Sequence, residues 1–168
     1  MFYVMLFSTL ILMEPLVYQY NYLNLIFFKN LLFIIIYMVK VKYKNKEYNI
    51  PKKYLGNLKG KELEKQIKSI IEGTDRPKTS AKSRRSSFVV AFEKKYGKKI
   101  TDRDFIHKNI ITNTGIDKIL SKGRGAYYSG GSRPNQTPSS WAYSRLASVI
   151  MNGNARKVDM DIWKKYKR

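Results

Sequence analysis

The chain has 168 residues with 33 Lys and Arg against 12 Asp and Glu, a formal net charge of +21 that is costly in self-repulsion unless a polyanionic partner takes it up. That length suits one domain with extensions. Cysteine is absent, which excludes disulfides, thiolate zinc sites and thiol nucleophiles, and no Walker loop, His-Glu-x-x-His pair or dinucleotide fingerprint occurs.

Residues 1–37 hold only Glu14 and Lys29 as charges, so residues 38–168 carry the whole +21. Two apolar stretches, Met1 to Met13 and Leu23 to Val39, are interrupted by Glu14-Pro15 and by polar residues from Gln19. The second is at the short end of transmembrane length, and Lys29 inside it disfavours insertion by about 3 kcal/mol. A basic flank after Tyr37 would keep the C-terminal domain in the cytosol. The segment lacks Gly, Ala, Arg and Asp, which also fits translated upstream sequence from an AT-rich genome with Met38 as the working start. A cleaved signal peptide fits poorly, for want of a basic n-region and a small-residue cleavage site.

Val39, Val41 and Tyr43 alternate with Lys40, Lys42 and Lys44; with a turn at Asn45-Lys46 followed by Tyr48 and Ile50, this predicts a β-hairpin ended by Pro51. Leu63, Ile67, Ile70 and Ile71 predict a helix over 59–72 with one buried stripe and Gly73 as its stop. Residues 74–87 have no apolar period and five positive charges against one negative, the pattern of a basic linker or mobile arm. Phe88, Phe92 and Tyr96 share one helical face before Gly97. Thr101 with Asp104 suggests a capping box for a short helix through Phe105 and Ile106, and Gly115–Ser121 suggests another.

Residues 123–137 are predicted to form the longest irregular segment. Thr137 then caps a helix beginning at Pro138 and running to about Met151, with Trp141, Leu146, Val149 and Ile150 directed to the core and Gly153 ending it. A last helix from about Met160 to Tyr166 docks Ile162 and Trp163. The expected organisation is therefore mainly α: a hydrophobic segment 1–37, a β-hairpin plus helix over 38–73, a basic linker 74–87 and a helical basic domain 88–168.

The segment 123–137 combines glycines that let backbone N–H groups converge, Arg124 and Arg133 for charge-assisted bonds, and a helix N-terminus behind it, which is what phosphate binding requires. Tyr127 and Tyr128 are candidates to stack on bases, with Gln136 beside them. Arg84 and Arg85 in the basic arm add affinity without specificity, and Arg156 and Lys157 are candidates for the same surface. Each has a structural alternative: turns for the glycines, solvated linker for the arm, helix C-terminal pairing for Arg156 and Lys157. Ser83, Ser86 and Ser87 beside Arg84 and Arg85 fit phosphorylation, which would reverse the local charge. His107, the one histidine, lacks a nearby nucleophile or ligand spacing, and Asp102, Asp117 and Asp159 are the carboxylates an enzyme would have to use.

The run Gly123-Arg124-Gly125-Ala126-Tyr127-Tyr128, then Ser132-Arg133-Pro134-Asn135-Gln136-Thr137-Pro138, Trp141, and Gly153 through Asp159 resembles an uncharacterised family of small basic proteins encoded by large DNA viruses and some tailed phages. The likeness covers residues 74–168 and implies a viral origin without implying a mechanism.

The expectation is a virus-encoded, non-catalytic protein without cofactor or metal that binds DNA or RNA and is packaged in the virion or acts in host cytoplasm or nucleus. Two alternatives stand beside it. One is a virion structural protein of capsid or core; the other is a basic domain on anionic lipid, anchored through residues 23–39.

Overall fold

The computed structural model describes residues 37–168, so the anchor or upstream sequence expected within residues 1–36 lies outside the described residues. The chain divides between Lys52 and Lys53 into two compact units. No helix among the described residues is long and apolar enough to cross a membrane.

The first unit contains the hairpin, β1 (Met38–Tyr43) antiparallel to β2 (Lys46–Pro51), with Val41 opposite Tyr48 and Tyr43 opposite Lys46. Its turn is Lys44-Asn45, one residue earlier than expected, because both positions take positive φ, 46° and 60°, the mirror-image turn that matches strand twist. Lys40, Lys42, Lys44 and Lys46 are all exposed, whereas Val39, Val41, Tyr43 and Tyr48 are half-buried.

From Lys53 onward the described fold is helical. A single turn, α1 (Lys52–Leu55), precedes α2 (Gly60–Ile71), α3 (Ser87–Tyr96), α4 (Arg103–Asn109), α5 (Asn113–Gly130), α6 (Pro138–Ile150), α7 (Asn154–Val158) and α8 (Met160–Tyr166). Mainly helical with an N-terminal hairpin is thus the observed class. Helix α2 ends as expected, with Gly73 at φ 64° and Thr74 N donating to the Ser69 carbonyl, 3.0 Å. Its buried residues, however, are Gln66 and Ser69, while Leu63, Ile67, Ile70 and Ile71 are half-buried. Gln66 Nε2 donates to the carbonyls of Tyr54 (2.9 Å) and Ser132 (3.2 Å), while its Oε1 is buried without a hydrogen-bond partner.

The core is built between α3 and the C-terminus. Phe92 on α3, Ile106 on α4, Ile116 and Ile119 on α5, and Ala142, Leu146 and Val149 on α6 have no exposed surface. Each fully buried Ile, Leu, Val or Phe side chain contributes about 1.5–3 kcal/mol, so this cluster is the main source of stability. Helix α4 is capped by Asp102, which accepts from Phe105 N, rather than by Thr101. The chain end is laced back onto the segment before α5: Thr112 N donates to the Tyr166 carbonyl and Arg168 N to the Ile110 carbonyl.

The largest departure from expectation is α5, which continues to Gly130 through the predicted loop and leaves only Gly131 to Thr137 irregular. Gly123 faces α6 so closely that a Cβ built on it would lie 2.6 Å from Ala142 Cα. It is a packing glycine at a helix crossing, not a turn glycine. Gly125 faces open space.

Residues 74–86 form no helix or strand, but as far as Ala81 they are tied down as a strap rather than left as a solvated arm, and Lys82 to Arg85 beyond are exposed. Arg76 is buried, its Nε donating to Ser132 Oγ (3.1 Å), its Nη1 to the carbonyls of Ser69 (2.7 Å) and Thr74, and its Nη2 to the Tyr127 carbonyl (2.7 Å). Further along, Asn135 clamps the strap by accepting from Thr79 N and donating to the carbonyls of Thr79 and Ala81. Ser80 is held by Glu62 through its backbone N–H and its hydroxyl.

Candidate functional site

The strap ends in Lys82, Arg84 and Arg85 before turning into α3, and this places them opposite the short loop that carries Arg133 and Gln136. Between them runs a cleft of about 1040 Å³ whose walls include Lys53, Tyr54, Arg84, Arg85, Phe88, Lys94, Arg133, Gln136 and Trp141. A second hollow of about 600 Å³ shares Lys53, Arg84, Arg133 and Gln136 with it and adds Lys82. No Asp or Glu lines either one.

Helix periodicity explains why α6 contributes as it does. Ala142, Leu146, Val149 and Ile150 form the buried stripe, and the adjacent stripe, Trp141, Ser144, Arg145 and Ser148, faces the cleft. Trp141 is therefore half-buried in a wall rather than sealed in the core, with its ring edge-to-face against Tyr54 at 5.8 Å between centroids. Burial raises the Tyr54 phenol pKa, against the opposing pull of the Arg133 charge, so the phenol is neutral near pH 7.

The cleft cations differ in how they are tied. Arg85 pairs with Glu93 at 2.7 Å, but both groups reach solvent, and an exposed pair of this kind contributes about 0–1 kcal/mol and exchanges readily for another anion. Arg145 is committed. Its Nε and Nη2 donate to the two oxygens of fully buried Asp159 at 2.7 and 2.9 Å, and Lys122 Nζ joins at 3.0 Å. Burial alone would raise the Asp159 pKa, but the hydrogen bonds and charges of Arg145 and Lys122 hold it below the ordinary carboxylate value. Lys82, Arg84, Lys94 and Arg133 have no ion pair among the described residues.

Of the residues singled out from sequence, Arg84, Arg85, Arg133 and Gln136 come together here. The others do not. Tyr127 is 1% exposed, its hydroxyl accepting from Arg76 N (2.9 Å) and donating to the Gln136 carbonyl (3.0 Å), so it has no face left for a base. Tyr128 is exposed but donates to Asp75 on another face of α5, outside the cleft lining. Arg124 and Lys157 are exposed and likewise line neither hollow. Arg156 takes the structural alternative: Nε and Nη2 donate to the carbonyls of Val149 (2.6 Å) and Ile150 (2.7 Å) at the end of α6, and the guanidinium lies over Trp163 at 4.2 Å. The expected phosphate cradle at the α6 N-terminus is filled by the protein itself, since Thr137 and Ser140 cap each other's backbone N–H groups. Sequence reading missed Lys53, Phe88, Lys94 and the cleft role of Trp141; for Trp141 the signal was the Trp141-Ser144-Arg145-Ser148 stripe.

The acids do not converge. Asp102 caps α4, Asp117 pairs with Arg103 at 2.7 Å and Asp159 is buried against Arg145 and Lys122, and among the described residues no group of three or more His, Asp or Glu is placed to hold a metal. His107 Nδ1 accepts from Asn113 N at the start of α5.

No curated protein and no solved structure matches this chain. A family model described as a family of unknown function, DUF5824, matches residues 42–166, about three-quarters of the sequence, taking in β2, the strap and every cleft residue named above but only the last two residues of β1. The chain belongs to that family.

Proposed function

We propose that this protein is a nucleic-acid-binding protein that holds phosphates in the cleft between the strap, α3 and α6. The observation that carries the reading is a concave surface with Lys53, Lys82, Arg84, Arg85, Lys94 and Arg133 on its walls and no acidic residue among its lining. A folded chain with this much positive charge gains when a polyanion neutralises it, and counterions released from the polyanion make that gain strongly salt-dependent. The resemblance to virus-encoded basic proteins supports a setting in which the partner is the viral genome and the protein travels with it. A capsid or core role, or anionic lipid, would use the same charge, but neither gives a reason for the aromatic walls.

The test is a titration of the full chain with labelled oligonucleotides across about 50–300 mM salt, the range over which phosphate contacts show themselves. If the six cations of the two hollows each neutralise one phosphate, log affinity falls against log salt with a slope of about −5 on duplex and about −4 on single strands. Binding indifferent to salt, or stronger binding to anionic vesicles than to any oligonucleotide, overturns the reading.

A further inference from the structure

The cleft lining combines basic side chains with aromatic rings, and a purely electrostatic surface would not need the rings. Phe88 at the start of α3, Tyr54 in α1 and Trp141 in the first turn of α6 all reach it, and Val90, one of the large apolar side chains most exposed to solvent, stands on the same wall. Trp141 sits just inside the capping box of Thr137 and Ser140, and Tyr54 stands edge-to-face to its ring. At 1040 Å³ the cleft matches the upper end, about 1,000 Å³, of cavities that enclose a small molecule, and so has room for a few nucleotide units but not for an intact double helix.

We infer that the cleft takes single-stranded polynucleotide, with a base stacked against Trp141 while Arg84 and Arg133 hold the flanking phosphates. This rests on the nucleic-acid reading above and narrows it. A duplex keeps its bases stacked inside and offers a cleft only its backbone, which leaves the aromatic wall unused. A single strand has free base faces, and stacking on an aromatic ring tolerates any sequence. Arg145 is taken up by Asp159, whereas Arg84 and Arg133 are left for phosphate.

The full chain is titrated with oligo-dT and oligo-U of about 15 nucleotides, the upper site size of a single-strand module, and with a duplex of equal length. Trp emission is recorded alongside anisotropy for wild type, Trp141→Phe, Trp141→Leu and Arg84→Ala/Arg133→Ala. The expected result is tighter binding to single strands than to duplex, with saturable quenching that disappears in Trp141→Phe, where Trp163 is the remaining indole. Trp141→Phe keeps a stacking ring and binds within about 3-fold of wild type, whereas Trp141→Leu weakens single-strand binding about 10-fold, the loss of one stacked base. Circular dichroism on each variant separates this from misfolding, and the Phe variant carries the quenching test if Leu does not fold. Equal or tighter duplex binding that still falls in the double Arg variant, or single-strand binding unmoved by Trp141→Leu, overturns the stacking inference and leaves the nucleic-acid reading intact. Absence of binding to all three polymers overturns both.

Discussion

Two glycines separated by one residue on α5 should respond to alanine with opposite signs. At Gly123 the added methyl would lie 2.6 Å from Ala142 Cα and 3.0 Å from its Cβ. Carbon atoms in contact sit about 3.5–4.0 Å apart, so the shortfall is about 1 Å against backbone that no rotamer change can move. Helices α5 and α6 must separate, an overpacking cost near the upper end of about 1–3 kcal/mol, while alanine returns about 1 kcal/mol of helix propensity. The expected net loss is about 2 kcal/mol. Gly125 is exposed within the same helix and a Cβ there meets nothing within 4 Å, so Gly125→Ala keeps only the propensity gain, about 1 kcal/mol of added stability. Urea unfolding followed by far-ultraviolet circular dichroism, with m compared between variants, reads both values. If the two variants agree in sign and lie within about 1 kcal/mol of each other, either this stretch is not helical or the close approach of α5 to α6 is wrong.

Arg76→Met strips the strap of its buried anchor and leaves the Ser69, Thr74 and Tyr127 carbonyls without that donor; the expected loss is about 3 kcal/mol, with trypsin cleavage after Lys82 and Arg84 accelerated, and Arg76→Lys recovers less than half because an ammonium cannot reproduce the planar fork. Asp159→Asn leaves Arg145 and Lys122 facing a neutral amide and costs about 3 kcal/mol in denaturant unfolding at pH 7. Because the folded pKa of Asp159 is depressed, its contribution is present above the unfolded carboxylate value of about 3.9 and is lost as pH falls through the folded value, so wild type loses stability below about pH 4 along a limb that is flatter in Asp159→Asn. Tyr127→Phe removes two hydrogen bonds and lowers stability by about 1–2 kcal/mol while leaving oligonucleotide affinity within about 2-fold; lost affinity at unchanged stability would return Tyr127 to the binding surface.

The elements legible in the sequence were those whose determinants are local. Alternation gave away the hairpin, Thr137-Pro138 opened α6, and Ile162 with Trp163 in a short window marked α8, whose observed limits are Met160–Tyr166. Helix α5 was illegible past Ser121 because three glycines in eight residues weaken any helical pattern, and what holds that half helical is contact with α6, notably at Gly123 against Ala142. The strap was illegible for another reason. Arg76 finds Ser132 fifty-six positions away and Asn135 finds Thr79 at the same separation, and no local pattern encodes such pairings. The candidate site divides in the same way. Charge marked Arg84 and Arg85, and the glycine-rich run before a helix start marked Arg133, but the exchange of Tyr127 for Trp141 as the ring facing the cleft depends on how α5 and α6 are rotated about their axes, which core packing decides.

The central claim, that the cleft and not the charge at large carries polyanion binding, is tested most directly by comparing two charge-matched pairs in the same salt titration. Arg84→Ala/Arg133→Ala removes two cleft cations, and Arg124→Ala/Lys157→Ala removes two exposed cations that line neither hollow. The cleft pair should weaken binding and make the log–log salt slope shallower by about 1.8 on duplex or about 1.4 on single strands, while the second pair leaves both close to wild type. Equal losses from the two pairs, or none from the cleft pair, would contradict the account.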